Sequence, residues 1–274
     1  MAGNKRLISV SVNAVLLFVS AIMVVPLLLF LNISLKTKEE FLKFPYELAS
    51  SFQWSNFTEA WQQAELGIYF QNSFIYALGS AALIAITASL AAFPIARQHF
   101  KGANLLYAIF MIALFLPGAI VPTLFLMNKL ALINTMHGFI LLQAGGGLSI
   151  AVFIFVSFVK SLPKDLDEAA WMDGCGYFRY IFRIIFPLMK PAIATVTMLQ
   201  CIGSWNDFIN PYLYLHDKEL RPLTSGVYLF VGKFTVNWPL LAAAIILVAC
   251  PLILLFIFLQ RFIISGITSG SVKG

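Results

Sequence analysis

Residues 160–190 read KSLPKDLDEAAWMDGCGYFRYIFRIIFPLMK and hold nine of the thirty acidic and basic side chains in a chain of 274 residues. The sequence on either side is lipid-soluble. The chain is 60% hydrophobic and 11% charged, with a mean hydropathy of +0.88, whereas a soluble domain carries about 25% charged residues. One water-soluble core cannot hide that much apolar surface, so lipid is the expected solvent. A polar island between lipid-soluble runs cannot stay in hydrocarbon, and is expected at one membrane surface.

Five runs lack Asp, Glu, Lys and Arg altogether: Leu7–Leu35, Leu66–Ala96, Gly102–Asn128, Leu130–Val159 and Phe234–Gln260. Each exceeds the roughly 20 residues that cross a bilayer as a helix. A sixth run, Pro191–His216, is interrupted only by Asp207. Backbone in hydrocarbon must satisfy its own hydrogen bonds, which leaves helices or closed barrels. The runs lack the alternation of barrel strands, so the fold class is all-α and polytopic. Six helices are expected near Ile8–Phe30, Ser73–Ala92, Leu105–Phe125, Phe139–Val159, Ala192–Leu213 and Leu240–Phe262. They fill residues 1–274 as a single membrane domain, with the polar loop at 160–190 and a tail at 263–274.

An even number of spans puts both termini on one side. With the N-terminus inside, eleven of the eighteen Lys and Arg lie on inner segments. Positive residues favour the cytoplasm, so the termini and the polar island are expected there. The outer segment Thr37–Gln71 is expected to fold as short helices. The first span follows Lys5 and Arg6 like a signal peptide. Its apolar run is longer than a typical h-region, and no small-x-small site follows cleanly, so it reads as a retained helix.

Within the island, Pro163 suits a first helical turn, and Asp165, Asp167 and Glu168 lie near the positive end of the helix dipole. Ala169 and Ala170 permit close approach of a neighbour. Gly174 and Gly176 can end the helix and turn the chain. A second, amphipathic helix follows, with Tyr177, Ile181 and Ile184 on one face, Phe178, Phe182 and Ile185 beside it, and Arg179 and Arg183 in another stripe. Pro187 and Pro191 mark re-entry into the membrane. On physical grounds alone, a basic amphipathic connection lying on lipid fits the segment as well as a protein-docking loop.

The spacing Glu168-Ala169-Ala170, Gly174, Ile184 and Pro187 resembles the EAA loop of bacterial ABC importer permeases, with Phe186 where that family has Leu. Asp173-Gly174-Cys175-Gly176, the run Pro187 to Pro191 and Trp205-Asn206-Asp207-Phe208 are similar to its carbohydrate branch. The C-terminal run Ser265 to Gly274 resembles the maltose permease G-type subunits. The resemblance implies a permease subunit that forms half of a translocation pathway beside a second, related permease. It implies two cytoplasmic ATPase subunits, which bind the ATP and magnesium, and an extracytoplasmic solute-binding protein that delivers a carbohydrate. Glu168, Ala169, Ala170, Asp173, Gly174, Ile184 and Pro187 are then the ATPase-coupling residues. Ser269, Gly270, Lys273 and Gly274 are candidate tail contacts to the ATPase pair.

Polar groups inside a span are costly and usually face a cavity or a partner helix. Ser204, Trp205, Asn206, Asp207 and Asn210 crowd the fifth run, and Pro211 can break the helix just beyond. Amides and a carboxylate suit sugar hydroxyls, and an aromatic ring suits sugar C–H faces, so these five are candidate pathway residues. A role for Asp207 in a gate or subunit interface fits equally. Pro117, Pro122 and Gly145-Gly146-Gly147 fit either kinks near a pathway or close helix packing, and packing is the expectation.

Other chemistry finds no support. GVYLFVGKFT at 226–235 lacks the spacing and the Ser or Thr of a phosphate loop. The histidines are scattered, and no G-x-S-x-G elbow occurs. Cys175, Cys201 and Cys250 show no disulfide or metal spacing. The pI near 9.2 reflects topogenic Lys and Arg, and no nucleic-acid partner is expected. The chain is therefore expected to be a transport subunit without a cofactor of its own. An ion-gradient-driven transporter, an ABC permease for a non-sugar solute and a membrane-embedded enzyme are the alternatives.

Overall fold

A computed structural model describes the backbone of residues 2–227, 230 and 236–271 and the side chains of 12–227, 230 and 236–257. Among the described residues the regular structure is helical. Its elements are α1 (Ala2–Ser34), α2 (Lys38–Lys43), α3 (Ser55–Gln63), α4 (Leu66–Ala96), α5 (Ala103–Phe115), α6 (Ile120–Lys129) and α7 (Met136–Ser161). The second half holds α8 (Asp165–Met172), α9 (Tyr177–Leu188), α10 (Lys190–Asn206), α11 (Ile209–Tyr214), α12 (Leu223–Val227) and α13 (Trp238–Ser271). Four helices are long and apolar enough to cross a membrane unbroken, or six spans if each of two bent helix pairs counts as one.

One bent pair corrects the expectation of a continuous third span, and the other lies where the polar island re-enters the fifth, between Pro187 and Pro191 as expected. The third span bends by 116° between α5 and α6. Leu116, which precedes Pro117, is extended (φ −76°, ψ 135°), because the proline ring excludes helical backbone from its predecessor. The fifth span ends as a helix at Asn206, since Asp207 is extended (φ −70°, ψ 118°), and resumes as α11 with Pro211 inside it. The break therefore lies at Asp207, ahead of the proline rather than at it. Pro211 has no N–H to offer the Asp207 carbonyl four residues back, and the Thr224 hydroxyl donates to that carbonyl instead (3.0 Å). α9 meets α10 at 77°, between Pro187 and Pro191.

The backbone divides into two compact units, Met1–Leu66 with Gly226–Pro251, and Gly67–Ser225 with Leu252–Gly274. In the first, α1 is exposed from Val12 to Leu29, as a lipid-facing helix should be, and becomes buried only at its end, where Ser34 is fully enclosed. The segment after it folds as the two short helices α2 and α3, while α4 starts earlier than expected, at Leu66. Lys36 is fully buried there, and its ammonium donates to the carbonyls of Phe44 (2.6 Å) and Pro45 (3.3 Å). The Ser50 backbone N–H donates to Glu40 (2.6 Å) and holds that carboxyl below its usual range. Phe41 packs on Trp238.

In the second unit α7 is flanked by α5 and α10. One apolar core joins Ile84, Ala88 and Phe93 of α4, Val152, Phe155 and Val159 of α7, Ala170 of α8, and Tyr180, Ile181 and Ile185 of α9. A second cluster gathers Tyr76, Met127, Phe139, Tyr214 and Leu215. Around it, Tyr76 donates to the Leu220 carbonyl (2.6 Å), and Asn72 donates to the carbonyls of Glu219 (2.6 Å) and Arg221 (3.0 Å). α13 continues past Phe262 to Ser271, so the expected tail is helical over most of its length.

Candidate functional site

The polar island is an elbow built from α8 and α9. Leu162 is extended ahead of Pro163, and α8 opens with Asp165, Asp167 and Glu168 in its first turn, where the helix dipole favours them. It closes in a Schellman motif. The N–H of Gly174 donates to the Trp171 carbonyl (3.1 Å), and that of Cys175 to the Ala170 carbonyl (2.9 Å). Gly174 takes φ +66°, a conformation that costs a residue with a Cβ. Gly176 is extended (φ −67°), so the turn depends on Gly174 alone.

The inner face of the elbow is tied down. Asp167 meets Arg97, just beyond α4, with Nε and Oδ2 2.6 Å apart, both side chains largely buried. Nη2 of Arg97 also donates to Asp167 Oδ1 (3.2 Å) and to the Leu162 and Pro163 carbonyls (3.2 and 3.4 Å). Tyr180 donates its hydroxyl to the same Asp167 oxygen and sets its ring edge-on to Phe93. The sequence signals a topogenic charge at Arg97 and a helix-dipole partner at Asp167, and carries no signal at Tyr180. Their ion pair spans seventy residues, and its only sequence trace was a charge beside each turn.

The outer face is free. Glu168, Ala169 and Asp173 are exposed, while Ala170 is buried in the chain's own core. Met172 is 88% exposed, and Trp171 and Phe178 are also exposed. Ile184 is half-buried and Pro187 exposed. The fully buried residues of α9 are Tyr180, Ile181 and Ile185, with Tyr177 and Ile184 of the expected face half-buried against the same core; Ile181–Ile185 form a π-helical turn. One extra residue per turn rotates the face that follows it.

The second candidate region lies where the fifth span breaks. Asp207 accepts at Oδ2 from the side-chain amides of Gln143 (2.8 Å) and Asn210 (2.7 Å), and at Oδ1 from the Asn210 backbone N–H (3.1 Å). Gln200 donates to the Ser80 hydroxyl (3.0 Å) and the Gln143 carbonyl (3.3 Å). Beside them is a cavity of about 790 Å³, lined by Gln143, Gln200, Ser204, Asn210 and the glycines at 145–147, with apolar walls from α6 and α7. Trp205 is buried edge-on against Phe70 and Phe74, and Asn206 is exposed. Neither lines this cavity, whereas Ser204 and Asn210 do. Gln143 and Gln200 were missed because each sits singly in an apolar run.

The three glycines do not kink α7, which runs unbroken from Met136 to Ser161. A Cβ on Gly147 would stand 2.3 Å from Gln200 Oε1 and 2.7 Å from Ile84 Cδ1, whereas Gly145 and Gly146 face open space. Ser269 and Gly270 fall in the last turn of α13, and Lys273 and Gly274 lie outside the described residues.

Known proteins match this architecture. The chain is 34% identical over 256 residues to the melibiose/raffinose/stachyose import permease protein MelC of Bacillus subtilis, covering 91% of each. It is 31% identical to the diacetylchitobiose uptake system permease protein NgcG of Streptomyces coelicolor, covering 99% of this chain and 91% of that one. Its fold aligns at a TM-score of 0.83 and 19% identity with a chain of a bacterial ABC transporter involved in the import of the acidic polysaccharide alginate, covering 91% of this chain and 94% of that one. The family described as "Binding-protein-dependent transport system inner membrane component" matches residues 81–269, which take in the elbow, the cavity and the broken spans, and the chain belongs to that family.

Proposed function

We propose that this chain is one permease subunit of an ATP-driven, binding-protein-dependent carbohydrate importer in a bacterial plasma membrane. It forms half of the pathway beside a second, distinct permease. Several of its relatives are named for the import, uptake or transport of oligosaccharides, which supports the substrate class. Two cytoplasmic ATPase subunits hold ATP and magnesium, the elbow docks into a cleft on the ATPase, and a solute-binding protein delivers cargo on the other side. Both termini lie in the cytoplasm, and Ser269, Gly270, Lys273 and Gly274 make a second contact with the ATPase pair.

The observation that carries this reading is the division of labour across α8. Asp167 and Ala170 bind one face to the chain's own core, and Glu168, Ala169 and Met172 present the other to solvent. A helix held rigidly on one side with an apolar-acidic face on the other is a handle. ATP-driven closure of the ATPases pulls on that handle and moves α4 and α7 through the shared core.

Copurification from detergent tests the reading. The ATPase subunits should leave the membrane with this chain and be lost on Glu168→Lys; an active complex that survives the charge reversal sinks the docking role. Cys175, a free thiol beside Gly174, reports sidedness. A membrane-impermeant maleimide should reach it from the cytoplasmic face alone, and labelling of intact cells from outside overturns the orientation.

A further inference from the structure

Resting on the importer reading, we infer that α9 is seated in lipid. It lies in the headgroup layer of the cytoplasmic leaflet, with a phenylalanine stripe among acyl chains and an arginine stripe on the phosphates of anionic phospholipid. Its direction comes first. α10 opens the fifth span, and α9 meets it at 77°. A helix nearly square to a spanning helix runs close to the membrane plane. Lys190, exposed at the start of α10, keeps the junction at the polar boundary, as flanking basic residues do. Covalent connection to the span therefore carries α9 along the interface.

Its circumference is divided. Tyr180, Ile181 and Ile185 are buried in the chain's own core. Phe178, Phe182 and Phe186 recur every four residues beside them. The first two are 66% and 46% exposed, and the rings of Phe182 and Phe186 lie 6.2 Å apart. Arg179 and Arg183 each stand one position further on. Both are exposed, and among the described residues neither has an ion pair or a hydrogen-bond partner. Charge selects what covers this face. From Gly174 to Asn206 the chain carries Arg179, Arg183 and Lys190 and no acidic residue. Residues 165–173 carry Asp165, Asp167, Glu168 and Asp173 and no basic one. An anionic surface is therefore drawn to α9 and repelled by α8, and a basic cleft the reverse. Exposed phenylalanines interleaved with arginines, on a helix in the membrane plane, are the make-up of an interfacial helix on anionic lipid. The elbow thus has one arm for the ATPase and one for the bilayer.

The test uses the importer assembled with its own partner subunits, in vesicles of phosphatidylcholine mixed equally with phosphatidylglycerol. Phe182→benzoylphenylalanine, activated by light, should capture phospholipid. The same photoreactive residue in place of Met172, on the outer face of α8, should capture an ATPase subunit. Absence of a phospholipid adduct at position 182, or an ATPase adduct in its place, overturns the proposal and leaves the docking of α8 standing. Failure of position 172 to capture an ATPase subunit removes the docking reading instead. The arginines are read by titrating phosphatidylglycerol into the detergent-solubilised importer. A basic side chain near an anionic surface is worth about fivefold in affinity, so Arg179→Gln with Arg183→Gln should weaken phosphatidylglycerol binding about 30-fold. Phosphatidylcholine binding should not change. Arg179→Lys with Arg183→Lys keeps both charges and should retain most of the affinity. Phosphatidylglycerol affinity within twofold of the parent in the glutamine pair overturns the phosphate contact and the proposal with it.

Discussion

Two aspartates divide the second unit between them, and they are held in opposite ways. Asp167 at the elbow is paired with a guanidinium and a phenol, largely out of water. Asp207 at the broken span is held by two amides and a backbone N–H. The first arrangement locks, because a buried ion pair tolerates neither partner's loss. The second orients, because neutral donors fix a geometry without cancelling the charge. On the proposed function, the elbow transmits force and is served by the lock, whereas the broken span needs only to hold a geometry.

The sharpest way to break this contrast is at the lock. Asp167→Ala leaves Arg97 buried and unpaired, and should cost about 3–5 kcal/mol, read as a lowered midpoint of thermal unfolding in detergent with loss of uptake. Replacing both partners, Arg97→Met with Asp167→Leu, should recover the midpoint, because an apolar pair is often as stable as a buried ionic one. If the pair only stabilises the elbow, uptake returns with it; if it also transmits force, uptake stays low. Asp207→Asn should cost less, about 1–3 kcal/mol, since a new NH2 faces amides that already donate. Its signature is a raised KM for saccharide with the ATPase still bound, and loss of the ATPase instead would erase the distinction between the two regions.

Glycines sharpen the comparison on a smaller scale. Gly147→Ala drives a Cβ into Gln200 and Ile84, and overpacking of this kind costs about 1–3 kcal/mol. Gly146→Ala meets nothing and should leave the stability unchanged or raise it by up to about 1 kcal/mol through helix propensity, read as an unchanged or higher unfolding midpoint. Gly174→Ala at the elbow should cost about 1–2 kcal/mol for its left-handed backbone, seen as weaker ATPase copurification.

Composition made the helices legible, because charge-free runs longer than a bilayer admit few structures. The elbow was legible too, since Pro163, the acidic first turn and Gly174 are local signals with local causes. The breaks were less so. Pro117 marks its own, but the fifth span gives way at Asp207, where a freed carbonyl finds Thr224, a partner seventeen residues on. The π turn within α9 leaves no signature in an apolar run, and the burial of Tyr180 comes from its tertiary partners Asp167 and Phe93. The tie between Arg97 and Asp167 and the amides at Gln143 and Gln200 depend on tertiary placement, and no periodicity announces them.

The fold at α5 reaches beyond the protein. Thirteen residues make a rod of about 20 Å at 1.5 Å per residue, well short of a hydrocarbon slab of about 30 Å, before the chain swings through 116°. A stretch this short is met by a thinner bilayer, by flanking side chains reaching the interface or by a neighbouring subunit. If lipid supplies the match, thinner bilayers should ease the strain around α5 and thicker ones raise it, an effect read by uptake in vesicles of graded acyl-chain length.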